Sequence, residues 1–270
     1  MRKILNTLYP EWIKVLNYKT FWILSGLYAG TLVLLLFSLQ GLLSNVTVNI
    51  NSNSPSSIPD FPVYAFPEVW QNLTYIAGFL KMFPAFLVII LITNEFTYKT
   101  LKQQIITGSS RLEFIAGKIA LIFLLAVSVA LLVGISGLIA GLLQDSPDYK
   151  SILSSKLWFI PAHALELFTY MMLAAFLAVL LKRAGTTVIV FLLYAFVIEK
   201  ILAFKLPENI ASFLPIKATG NLIPLPNSSL MKLFGVSFSE FTVWTDVISC
   251  IVWSIIFAFA IFQILKSRDL

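Results

Sequence analysis

Four ionisable residues, Lys81, His163, Glu166 and Glu199, fall inside stretches that are otherwise apolar. A charge in hydrocarbon is costly, so such residues mark ion or substrate paths, or pairs that join helices. His163 and Glu166 stand three apart and share a helix face. Lys81 lies twelve residues from Thr93 and Glu199 twelve from Thr187, about 18 Å each at helical rise. That equal depth predicts that Lys81 and Glu199 face each other, within a subunit or across a dimer. Two roles are open to the four: they line a polar pathway, or they snorkel to an interface and brace helices as ion pairs. The second is the simpler. One histidine and a single Cys250 supply too few ligands for a zinc site, so no metal is expected.

A second concentration of polar residues is the stretch NEFTYKTLKQQIITGSSRLEFIAGK, Asn94 to Lys118, set between two apolar runs. Phe96, Leu101, Ile105 and Ile106 form a rough apolar stripe, with Lys99, Lys102, Gln103 and Gln104 largely off it. This predicts a short helix near a membrane face, broken by Thr107–Ser110. Ser110 and Glu113 have capping-box spacing, in which a hydroxyl takes an orphan amide and a carboxylate reaches back. The next helix is therefore expected to start at Arg111. Arg111 offers five donors for a carboxylate or for the carbonyls that end another helix. Glu95 is expected to tie the start of the insert to basic neighbours or to the N-terminal helix.

The elements that position these groups follow from composition. The chain has 270 residues, 59% hydrophobic and 12% charged, more apolar surface than a soluble domain can hide. Spans of roughly 20 apolar residues fall at about Phe21–Leu43, Asn72–Thr93, Phe114–Leu143, Leu157–Leu181, Thr187–Phe204 and Val243–Leu265. Lipid obliges these segments to satisfy their own backbone, so the fold class is all-α, a polytopic membrane protein with six helices. Residues 1–20 place apolar side chains at helical spacing beside Arg2, Lys3, Glu11 and Lys14, the pattern of an interfacial helix. The first span reads as retained rather than as a signal peptide. The stretch from Ser44 to Thr74 reads as loop, and 205–242 as an outer segment broken by Pro207, Pro215, Pro224 and Pro226. Its apolar pieces are too short to cross and are expected to dip back under cover of protein. Residues 1–270 form one domain without an internal repeat. Gly26 with Gly30, and Gly137 with Gly141, permit close helix packing, more simply within one subunit than between two. Tyr9, Trp70, Trp158 and Trp244 suit an interfacial belt.

Twelve of the 19 Lys and Arg residues collect at alternate span ends. The positive-inside rule then puts both termini and the insert in the cytoplasm, in a multi-pass arrangement in a cell (inner) membrane. The net charge of +6 suits an anionic leaflet and calls for no nucleic acid.

The insert resembles the signature of exporter-type permeases of ATP-binding cassette (ABC) transporters, the class with drug, antibiotic and polysaccharide exporters. That signature has a glutamate closing the second span, a glycine-threonine pair, a proline, and then serine-arginine and glycine-lysine entering the third span. Glu95, Thr100, Ser110-Arg111 and Gly117-Lys118 stand at those places, with Lys99 where glycine is usual and Gly108 where proline is frequent. EWIKVLNYKTFWIL is similar to the family's Glu-x-x-Lys opening, and FLPIKATGNLIPLP to its proline-broken segment before the last span, so the likeness covers essentially the whole chain. It implies that Glu95, Thr100, Lys102, Ser110, Arg111 and Lys118 couple to a separate ATPase subunit. It also implies a second permease subunit and half of a translocation pathway in this chain. No Gly-x-x-x-x-Gly-Lys-Ser/Thr phosphate loop is present, so the chain is expected to be no enzyme and to hold no cofactor, ATP and Mg being bound by the partner. An ABC-like scaffold or sensor without cargo is the alternative. A gradient-driven secondary transporter would be expected to show inverted repeats and broken helices, and the sequence displays neither.

Overall fold

The computed structural model describes residues 11–44, 47–51, 54–57, 64–106, 110–144, 152, 155–226 and 243–267. Residues 11–16 form a short helix, α1, and after a turn at Asn17 and Tyr18 the first long helix, α2, runs Lys19–Ser44. The rest of the expected interfacial helix, residues 1–10, lies outside the described residues. Thr47–Asn51 (β1) pairs antiparallel with Ser54–Ser57 (β2), where the sequence reads as loop. The β-branched Thr47, Val48 and Ile50 account for the strand.

The second expected span is two helices, α3 (Val69–Phe79) and α4 (Met82–Thr97), bent by 47° at Leu80–Lys81. Pro84 explains the break. It has no N–H to offer the Leu80 carbonyl four residues back, which instead accepts the Phe83 amide at 3.1 Å. A short α5 (Thr100–Ile106) follows, then α6 (Arg111–Gln144), α7 (Phe159–Leu181) and α8 (Ala184–Lys205). At 34 residues α6 is about 51 Å long, more than a hydrocarbon core of about 30 Å requires. Within α8, Tyr194–Ile198 widens into a π-turn. Two short helices, α9 (Glu208–Ala211) and α10 (Pro215–Asn221), precede α11 (Trp244–Ser267). The piece SLMKLFGV and the rest of 227–242 lie outside the described residues.

Among the described residues five helices, α2, α6, α7, α8 and α11, are long and apolar enough to cross a membrane, and the bent α3–α4 pair makes a sixth if it is one span. The protein is thus a largely helical, multi-pass membrane protein. The most buried of its helices is α7, packed against α4, α6 and α11. Apart from His163, Glu166 and Thr169 in its first half it is apolar on every face, as a helix without a solvent face should be. Ala174, Ala175 and Ala178, fully buried, let its neighbours close in. Thr169 Oγ1 and Ser254 Oγ meet at 3.0 Å and link α7 to α11.

Small residues serve α6 in the same way. A Cβ on Gly137 would stand 3.0 Å from Leu73, and one on Gly141 would collide with the Phe66 ring, so this pair packs inside the chain. Gly26 and Gly30 on α2 have nothing within 4 Å. The segment 207–226 folds back into the bundle, with Ala218, Leu222 and Ile223 buried against Phe159 and Cys250. Gln71 Nε2 donates to Pro224 O at 3.1 Å and Trp253 Nε1 to Phe213 O at 2.6 Å. These bonds cover the irregular backbone, as lipid requires.

Candidate functional site

Two clusters of charge organise the molecule. The first lies at the end where α1, α4, α5, α6 and α11 converge. Glu95 belongs to the last turn of α4, because that helix continues to Thr97; the insert helix begins only at Thr100. Between them Tyr98 and Lys99 turn the chain, and Lys99 adopts φ 55°. Thr100 Oγ1 donates to Glu95 Oε2, and Lys118, in the first quarter of α6, donates to Glu95 Oε1 at 2.7 Å.

The same ammonium also holds Glu11 of α1. Lys14 closes the square, 2.9 Å from Glu11 Oε1 and 3.7 Å from Glu95 Oε1. Gln104 of α5 donates to Glu11 Oε1 at 3.3 Å, and Asn94 donates to the Tyr18 hydroxyl. Glu11, Glu95 and Lys118 are all buried. Burial works against ionisation of Glu11, but the Lys118 charge and the hydrogen bonds from Lys118 and Lys14 outweigh it, so its carboxyl lies below the ordinary value. Burial likewise disfavours the Lys14 ammonium, and the bonds and charges of Glu11 and Glu95 reverse that to a raised value.

The start of α6 is fixed independently. The Ser110 amide donates to Glu113 Oε2 at 3.0 Å and the Glu113 amide to Ser110 Oγ at 3.2 Å, a reciprocal capping box. Arg111 reaches the far end of the chain: its Nη1 donates to Leu265 O at 2.7 Å and to Lys266 O at 2.8 Å. Those carbonyls belong to the last described turn of α11, and a guanidinium suits carbonyls at the C-terminal end of a helix. Lys102 lies in α5, but its side chain lies outside the described residues, and so do residues 107–109, Gly108 among them.

The second cluster sits at the α3–α4 break. Lys81 Nζ lies 2.8 Å from Glu166 Oε1, and His163 Nδ1 is 3.0 Å from Glu166 Oε2. The expected facing of Lys81 and Glu199 within the chain is therefore corrected: the partner of Lys81 is Glu166. Equal depth presumes straight helices, whereas the second span is bent by 47° at Lys81, whose ammonium meets Glu166 of α7. Glu199 is engaged elsewhere, accepting the Lys217 amide at 2.7 Å on the third residue of α10. It caps from a distance a helix whose own flanking residue, Leu214, has no side-chain acceptor. Lys81 also stands over the Tyr170 ring, 5.0 Å from its centroid.

Glu11, Lys14 and Gln104 were not singled out from sequence as site residues, although the i, i+3 spacing of Glu11 and Lys14 was a usable sign. The α11 carbonyls carry no sequence signal at all. Among the described residues no group of three or more His, Cys, Asp and Glu is placed to hold a metal. Compared with known proteins, the chain matches no family model and no curated protein.

Proposed function

We propose that the chain is the membrane-spanning permease subunit of an ABC exporter, lying in a cell membrane with both termini and α5 cytoplasmic. On this reading a separate ATPase subunit binds ATP and Mg and docks on the insert, and a second permease subunit completes the pathway. One observation carries it: α5 bonds to α4 through Thr100 and Glu95 and to α1 through Gln104 and Glu11, and Lys118 of α6 holds both of those carboxylates. A push on α5 is delivered to three membrane-entering segments, and Arg111 passes it to α11. A mere connector between α4 and α6 would need no such network. The left-handed turn at Lys99 agrees with the resemblance, since glycine, usual at that place, adopts such a φ freely.

The break at Leu80–Lys81 favours a second reading, a gradient-driven transporter, because such proteins bind near discontinuous helices. The absence of an internal repeat keeps it second. The test is co-purification and reconstitution. Glu95→Gln and Arg111→Gln should insert and fold yet lose the ATPase partner or ATP-dependent flux. Wild-type partner binding and flux in both would refute the coupling role, flux driven by an ion gradient without ATP would favour the second reading, and ATPase activity without flux would leave a scaffold or sensor.

A further inference from the structure

A cavity of about 470 Å³ opens beside the second charge cluster, within the size range of small-molecule sites. Three irregular stretches of backbone meet around it. Gly78, Phe79, Lys81 and Met82 come from the α3–α4 break, Ala195 and Phe196 from the π-turn, and Ile216, Gly220 and Ile223 from the segment that folds back. Helix breaks and π-turns in a membrane are tolerated where they border a protein-covered or water-filled space, and they recur at binding sites. Phe79 and Phe196 are exposed and stand at its rim.

The wall is mainly apolar and its charges are unequal. Glu166 is occupied on both oxygens, by Lys81 and by His163. Lys81 has donors to spare, since an ammonium carries three and only Glu166 accepts from it among the described residues. Lys200 lines the cavity too, its ammonium 5.8 Å from the Phe196 centroid, with no carboxylate within ion-pair distance among the described residues. The other nearby acid, Glu199, does not line the cavity and turns to the Lys217 amide. The space thus offers an apolar body and one uncompensated cation.

We infer that this cavity binds an amphiphile with a single apolar chain or ring system and one anionic head group, the head between Lys81 and Lys200. This rests on the multi-pass reading and not on the ATPase, so binding can be tested on the full chain alone in nanodiscs without nucleotide. The probes are a diazirine-bearing long-chain carboxylate and the alcohol of the same chain. The carboxylate should label residues of the cavity wall several-fold more strongly than the alcohol. Lys200→Gln, at an exposed position, should reduce that labelling roughly threefold to fivefold, the worth of a partly exposed ion contact. Gly220→Leu should abolish it: a Cβ there meets nothing within 4 Å, so the side chain enters open space without disturbing the fold. Suppression by phosphatidylglycerol in the disc identifies a lipid as the anion source, and suppression by a soluble alkyl phosphate identifies a diffusible solute; either supports the site. Equal labelling by carboxylate and alcohol, no labelling of the wall, or labelling unchanged in Gly220→Leu would overturn it. Loss of ATPase coupling with binding intact would refute the exporter reading and leave this one standing.

Discussion

The two charge clusters are built from the same residue types and do different things. At the end where α1, α4 and α6 converge, two carboxylates and two ammonium groups close a square that joins them, with α5 attached through Thr100 and Gln104. Inside the bundle, one carboxylate serves one ammonium and one imidazole, and a cavity lies alongside. The first arrangement uses its charges to tie segments far apart in sequence. The second neutralises a single acid and leaves a cation facing empty volume. A buried ion pair is weak grounds for stability by itself, so what surrounds each cluster decides its meaning. A closed square is a joint; an open one beside a cavity is a site.

The largest effect is expected at the second cluster. Lys81→Glu or Glu166→Lys alone leaves like charges together in the bundle and should cost about 3–5 kcal/mol, as broken buried pairs do. The exchange Lys81→Glu with Glu166→Lys should recover more than Lys81→Glu with Glu199→Lys, measured by SDS titration in mixed micelles. Better recovery with Glu199→Lys would restore the pairing that equal depth predicts and undo the comparison.

The joint should answer next. Lys118→Met removes the more buried of the two cations that Glu11 and Glu95 share. The expected loss is about 3 kcal/mol, the lower end for a broken buried pair, because Lys14 remains. The same titration reads it, and protease access at the α1–α2 turn should rise in parallel. Unchanged stability would make the square ornamental and the contrast with the Lys81 cluster void.

Much of this was legible in the sequence where the signal is local. Hydropathy windows find the long helices because lipid imposes length and polarity together, and Ser110 with Glu113 is a three-residue signature that needs no tertiary knowledge. Arg111 was recognised as a donor to helix-ending carbonyls, yet nothing in sequence says that the helix is α11. The break at Leu80 was overlooked although Pro84 is plain to read, because a proline early in an apolar run tells little about where the run is bent. The partner of Lys81 within the chain is hidden for the same reason: counting residues from span ends measures depth only along a straight axis. The cavity has no sequence signature, being the space left where three irregular segments meet.

Acid and base should loosen the joint without touching the bundle. Glu11 has a folded value below its ordinary 4.5, so its contribution is complete above that pH and is lost as pH falls through the lowered value. Lys14 has a folded value above its ordinary 10.5, so its contribution is complete below that pH and is lost as pH rises through the raised value. Amide hydrogen exchange of residues 11–16, corrected for the intrinsic rate, should therefore be slowest on the plateau between and accelerate beyond either edge. Flat protection down through the acid edge would show that α1 is held by Val15 and Trp12 packing instead of by its charges.

The smallest effect separates two lysines that share a backbone conformation. Lys99 ends the α4 turn at φ 55° and Lys182 ends α7 at φ 59°. A left-handed residue with a Cβ is disfavoured by roughly 1–2 kcal/mol, and glycine removes that while adding unfolded-chain entropy worth about 0.4–1 kcal/mol. Lys99→Gly should therefore stabilise by about 0.5 kcal/mol, since the Lys99 side chain is exposed and makes no ion pair or ring contact among the described residues. Lys182 stands 5.7 Å from the Phe96 centroid, a cation–π contact worth about 0.5–1 kcal/mol at an exposed site. Its replacement by glycine should gain nothing. Paired thermal unfolding of the two variants reads the difference directly. Equal gains would mean that the contact over Phe96, which joins the end of α7 to the last turn of α4, contributes nothing to holding those two helix ends together.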